Sequence, residues 1–167
     1  MAALKIRLYG DPVLRRVARD VGLDEDVSAL ATDMIDAMYD AYGRGLAAPQ
    51  VGECLRIFVM DCGWKDGALR TPLVFINPEV TDRSADVRTV DEGCLSLPGV
   101  PVQVTRPSEV TVHWRDLEGA AHQRLFTGFE AVCVQHETDH LDGILNIDHA
   151  LPQDRPEIDR LLGEISA

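Results

Sequence analysis

The sequence predicts an α+β fold in one domain spanning residues 1–167. Helical periodicity lies toward the two ends, strand-length apolar runs fill the middle, and no repeat or low-complexity tract divides the chain. Its 167 residues, 46% of them apolar, suffice to bury a core and exclude a disordered chain. Sixteen basic residues against 28 acidic ones give a net charge of −12. That balance argues against direct nucleic-acid binding or attachment to an anionic membrane surface. No apolar run reaches the roughly 18 residues that a membrane span needs, and the first residues lack a signal-peptide core. Cys54, Cys62, Cys94 and Cys133 form no paired framework, so reduced thiols and a cytoplasmic location are expected.

Each element has its own signal. Asp11-Pro12 reads as a turn. Residues 24–42 read as a helix, because Val27, Leu30, Ala31, Met34, Met38 and Ala41 recur at three- and four-residue spacing. Asp24, Glu25 and Asp26 crowd its start, where the helix dipole favours negative charge. Gly43 and Gly45 end it and open a loop running to Gly52. Leu55–Asp61 and Leu73–Asn77 are apolar runs of strand length, each ending in turn residues. Ser108–Asp116 and Ala121–Phe126 form a hairpin pattern around Leu117-Glu118-Gly119. A second long helix starts near Thr127, with Glu130 completing a capping box and Gly143 as its stop. Residues 156–165 suggest a short last helix.

The strongest chemical signal is His136-Glu137-Thr138-Asp139-His140 on that second helix. Residues four apart stack one turn above each other, so both imidazoles can face one metal ion. They continue a stripe begun by Phe129, Val132 and Cys133, which points them inward. Glu137 lies one step round, within reach of a water on that metal. Glu92-Gly93-Cys94-Leu95-Ser96, ahead of an expected Pro98-Gly99 turn, supplies a thiolate as candidate third donor. A Cys and two His leave one coordination position open, the catalytic rather than the closed structural arrangement. Gln50, ending the glycine loop, carries an amide that can meet a developing oxyanion. Arg106 either pairs with Glu92 or Asp139 or stands free at the surface.

Three segments carry a family resemblance: Gly43-Arg44-Gly45-Leu46-Ala47-Ala48-Pro49-Gln50, Glu92-Gly93-Cys94-Leu95-Ser96 and His136-Glu137-Thr138-Asp139-His140. In this order and separation they resemble the bacterial type of the peptide deformylase family, over about Tyr9 to Asp148. The resemblance implies antiparallel or mixed sheets around a central metal-binding helix. It also implies removal of the formyl group from N-formylmethionyl polypeptides, with release of formate. Cys94, His136 and His140 would hold one divalent metal: Fe²⁺ in the cell, with Zn²⁺, Ni²⁺ or Co²⁺ fitting the same donors in the isolated protein. Glu137 would be the general acid and base, and Gln50 and the Leu95 N–H would meet the oxyanion. Gly45, Arg44, Glu92, Gly93, Phe129, Val132 and Cys133 would bind substrate.

Three departures qualify the resemblance. Thr138 replaces a hydrophobic residue on the side of the helix away from the donors. Arg44 replaces one in the pocket loop; the expected arrangement turns it to solvent along its stem, and the other makes the pocket polar. At the end of the chain Asp154, Glu157, Asp159 and Glu164 outnumber Arg155 and Arg160, which argues against docking on the ribosome through a basic helix. Alternative readings are a deformylase-like paralogue with an altered or narrowed substrate, a zinc peptidase, and a non-catalytic metal-binding protein. A peptidase needs a further downstream ligand, and His149 is the only later histidine.

Overall fold

The strands in the middle of the chain divide between two sheets. The computed structural model describes residues 3–165. Strands β1 (Gly45–Ala47), β2 (Ile57–Met60), β3 (Leu73–Arg83), β6 (Glu109–Arg115) and β7 (Ala121–Thr127) form one antiparallel sheet in the order β1-β2-β3-β6-β7. Strands β4 (Val87–Cys94) and β5 (Leu97–Pro107) form a separate antiparallel hairpin. β2 is buried at every position, as a strand covered on both faces must be. Helix α1 (Ser28–Asp40) packs on β1 and β2, while α2 (Gly128–Leu141) packs on β1, β2 and β7. Helix α3 (Arg155–Leu162) packs on β5. The chain is thus α+β, with α2 between the five-stranded sheet and the β4–β5 hairpin.

Three apolar clusters follow from that layering. Phe58, Phe75, Val112 and Phe126 meet Ala131 and Val134 of α2; Met34 and Met38 of α1 meet Ile57 and Val59. Val100, Val102 and Val104 of β5 meet Leu145, Ile158 and Leu162. Helix α2 is buried nearly all round from Ala131 to Glu137, rather than along one stripe. A helix enclosed on both sides has no solvent face to keep polar.

Several element limits differ from the sequence reading for local reasons. α1 starts at Ser28 and not at residue 24, because the Asp26 carboxylate accepts from Ser28 N (2.9 Å) and Ser28 Oγ (2.6 Å), holding a turn there. The Thr127–Glu130 capping box does not form: Thr127 is still paired with Glu109 in the sheet, Gly128 turns at φ +58°, and Glu130 pairs with Arg124. Asn77-Pro78 does not end its strand. Asn77 takes φ +50° within a bulge, its side chain bonds both backbone groups of Val21, and β3 runs on to Arg83. Pro98-Gly99 lies inside β5, and the reversal is Leu95-Ser96. The last helix is Arg155–Leu162 rather than 156–165.

Both long helices end in the same hydrogen-bond pattern. In α2, Ile144 N bonds Asp139 O and Gly143 N bonds His140 O, with Gly143 at φ +72°. A Cβ on Gly143 would meet the Arg15 carbonyl oxygen at 2.6 Å, so only glycine fits. In α1, Gly43 N bonds Met38 O and Tyr42 N bonds Tyr39 O, but the left-handed position is Tyr42, at φ +62°. That conformation is uncommon for a bulky side chain.

Candidate metal centre and peptide cleft

The two histidines and the cysteine arrive from different elements. His136 and His140 stand one turn apart on α2, and Cys94 closes β4 just before the Leu95-Ser96 turn. His140 Nε2 lies 3.2 Å from His136 Nε2 and 3.4 Å from Cys94 Sγ, and all three donor atoms fall within 4.8 Å of one another. Ligand bonds of about 2.0–2.3 Å in a tetrahedron place donors roughly 3.3–3.7 Å apart. The donor spacing therefore suits one cation bonded to all three.

The surroundings prepare the donors for that role. Glu92 Oε1 accepts from His136 Nδ1 at 2.9 Å, which leaves the Nε2 lone pair facing the other donors. Arg106 clamps Glu92 through Nε (2.6 Å) and Nη2 (3.0 Å) and reaches Asp139 Oδ2 through Nη1 (2.9 Å). His149 Nε2 completes the line at 2.8 Å from Asp139. Burial alone would raise the Glu92 pKa, but the hydrogen bonds from His136 and Arg106 outweigh it and hold the group at about 2. Burial drives His140 well below the usual imidazole range.

Glu137 is the opposite case. It is buried, its Oε2 has no hydrogen-bond partner among the described residues, and Oε1 lies 4.0 Å from His136 Nε2. Burial pushes its pKa up to about 7. A carboxyl group so poised takes and returns protons near neutral pH. Gly45 is required beside it, since a Cβ there would meet Glu137 Oε1 at 2.7 Å. Gln50 is oriented from behind: its Oε1 accepts from Ala47 N (3.0 Å). Its Nε2 lies 3.1 Å from Ser96 Oγ and 3.6 Å from Cys94 Sγ.

A cavity of about 440 Å³ opens beside these groups. Leu95, Gly45, Arg44, Glu92, Gly93, Phe129, Val132 and Cys133 all line it, with Gln50, Cys94, His136 and Glu137. The Glu92 carboxylate is nevertheless committed to Arg106 and His136. Cys133 stays a protonated thiol, held so by its contact with Cys62 and by burial. Phe129 is not an inward core residue but a half-exposed lip. Arg44 takes a course between the two sequence expectations. Its stem is part of the wall, while its guanidinium bonds the Cys62 carbonyl and Asp66 (3.1 Å) and lies 5.0 Å from the Phe129 ring centre. Thr138 turns its hydroxyl back to Val134 O (2.6 Å), off the donor side. His122 is taken by Asp116 at 2.6 Å and His149 by Asp139 at 2.8 Å, and neither belongs to the donor cluster. Sequence reasoning missed Ser96 in the hairpin turn, Asp91 on β4, Tyr42 at the end of α1 and Lys65 after β2, which only the folded chain brings to the site.

The class follows from the chemistry. Closed four-ligand sites are structural, whereas three protein donors beside a proton-transferring carboxyl belong to metal-dependent hydrolases. Comparison with known proteins narrows this to one family. The family model described as polypeptide deformylase matches residues 3–156, and the chain belongs to that family. It is 47% identical over 166 residues to the peptide deformylase of Alkalilimnicola ehrlichii, covering 99% of this chain and 92% of that one. The crystal structure of a peptide deformylase from Legionella pneumophila superposes with a TM-score of 0.88 at 39% identity, over 98% of this chain and 95% of that one. The one from Synechococcus elongatus also gives 0.88, at 38% identity, over 96% and 86%. The family is metal-dependent and acts on formyl-methionyl peptides. No helix among the described residues is long and apolar enough to cross a membrane.

Proposed function

We propose that this chain, acting as one catalytic domain, hydrolyses the formyl amide of N-formylmethionyl peptides. Water adds to the formyl carbon, the C–N bond breaks, and formate and a free amino terminus leave. The observation that carries this reading is the convergence of Cys94 with the histidine pair beside Glu137, although Cys94 and His140 are 46 positions apart. Cys94, His136 and His140 would hold a divalent cation, with Fe²⁺ the cellular ion on the family resemblance. A cation there supplies Lewis acidity, which makes water nucleophilic near pH 7 and polarises a carbonyl.

The remaining work belongs to the chain's own groups. Glu137, with one oxygen free, takes a proton from the attacking water and delivers it to the leaving nitrogen. Gln50 Nε2, fixed by Ala47 behind it, donates to the oxygen that gains charge, with the Leu95 N–H as its companion. Glu92 is a positioning residue through His136 rather than a substrate contact. Gly45, Arg44, Gly93, Phe129, Val132 and Cys133 shape the cleft. We place the activity in the cytoplasm, on free peptide ends, without ribosome docking through α3, whose arginines are taken by its own carboxylates.

The test is formate release from formyl-Met-Ala peptides by anaerobically purified protein, with metal analysis of the same sample. Activity should vanish on chelation and return with Fe²⁺, and Cys94→Ser should lose most of the bound metal. Cleavage of internal peptide bonds in its place would favour the peptidase reading.

A further inference from the structure

This chain has only two lysines against 14 arginines, Lys5 and Lys65. Lys65 lines the cleft, on the short turn Trp64–Asp66 that follows β2. That turn is tied firmly to the pocket loop. Trp64 Nε1 donates to Gly43 O at 2.9 Å, Asp61 N donates to Arg44 O at 2.8 Å, and the Arg44 guanidinium donates to Cys62 O. Lys65 is therefore held at the mouth rather than carried on a free loop.

Its ammonium is left without an anion. The adjacent Asp66 is engaged by Arg44 at 3.1 Å, and Lys65 makes no ion pair among the described residues. Nζ instead rests 5.3 Å from the ring centre of Tyr42, the residue held at φ +62° at the end of α1. Strained backbone of this kind collects where a side chain must be aimed at a ligand. Partial burial and the Arg44 charge both work against the protonated lysine, so an incoming anion would relieve it. Among the described residues Asp91 is the other lining charge without an ion pair, and it stands on β4, outside the turn that carries Lys65. The two charges give the cleft a polarity that draws an acidic side chain toward the lysine.

We infer that Lys65, backed by Arg44 and seated on Tyr42, is a subsite for a carboxylate. It would give this enzyme a preference for formyl-methionyl peptides whose next residue is Asp or Glu. The inference rests on the deformylase reading and adds a substrate class to it.

The test compares kcat/KM for formyl-Met-Glu-Ala-amide with the Gln and Lys analogues, using metal-loaded protein at low salt. The Glu peptide should exceed the Gln peptide by about two- to fivefold, the size of an exposed ion pair. The ratio should fall to one in Lys65→Ala, invert in Lys65→Glu, and shrink at about 0.5 M salt as screening shortens the field. A second readout needs no turnover. In a Glu137→Gln background, the Glu peptide should slow acetylation of Lys65 by acetic anhydride more than the Gln peptide does, with exposed Lys5 as internal reference. A Glu/Gln ratio equal in wild type and Lys65→Ala, with equal protection by both peptides, overturns the inference while leaving deformylation intact. No hydrolysis of the Gln peptide at all would instead overturn the deformylase reading, and this inference with it.

Discussion

Two arginines hold two carboxylates each with nearly the same geometry. Arg106 grips Glu92 through Nε and Nη2 at 2.6 and 3.0 Å and reaches Asp139 at 2.9 Å. Arg160 on α3 grips Glu157 through Nε and Nη2 at 2.8 and 2.6 Å and reaches Glu164 at 3.0 Å. They differ in solvent: the Arg106 side chain is 5% exposed and that of Arg160 is 58% exposed. The buried cluster ties a strand of the cysteine hairpin to the helix of the histidine pair, so its geometry sets where His136 points. The exposed cluster joins residues of one helix and its end, where water competes for every bond. Contact geometry does not rank ion pairs; desolvation and what they connect do.

The sharpest probe of the buried end is its one carboxyl group without an arginine, Glu137. Glu137→Gln keeps the shape and removes the proposed proton carrier. It should lower kcat by about 10²- to 10⁴-fold while metal content stays at the wild-type level, checked by formate release and metal analysis. Next, Arg106→Ala should destabilise the fold by about 3–5 kcal/mol in denaturant titration, because the buried Glu92 carboxylate loses its cation and keeps only the His136 hydrogen bond among the described residues. The same change should weaken metal binding by roughly 10- to 100-fold, since the carboxylate that orients His136 loses its anchor.

A pH series on Glu92→Gln separates charge from shape. The folded pKa of about 2 lies below the ordinary 4.5, so the native state favours the ionised group. The stability it contributes is complete above pH 4.5 and is lost as pH falls through 2. The gap between wild type and Glu92→Gln should therefore be widest near neutrality and close between pH 4.5 and 2, followed by denaturant midpoint. Last, Arg160→Ala should leave the melting temperature and kcat within error, despite matching Arg106 bond for bond. A loss comparable to that of Arg106→Ala would break the comparison.

Much of the site was legible before folding was considered. The four-residue spacing of His136 and His140 on a helix is a local property, and so is Glu137 one step beyond. Arg106 carried a sequence signal as well, since it shares the two-residue alternation of Val100, Val102 and Val104 on β5. The Pro98-Gly99 pair misdirected the reading of the cysteine segment, because a strand edge tolerates Pro and a Gly at φ +76° as readily as a turn does. Asn77-Pro78 misled in the same way, a bulge passing for a strand end.

By itself the sequence determined the helix that bears His136, Glu137 and His140, the strand-rich middle, and the residue types able to bind one cation. Those features repeat over three or four positions and need no distant partner. Only the tertiary structure decided that Cys94 Sγ reaches His140 Nε2, that Arg106 is buried between Glu92 and Asp139, and that Lys65 stands bare at the cleft mouth. These depend on which residues, far apart along the chain, share one desolvated volume. Burial and proximity are properties of the packed whole, which no local pattern encodes.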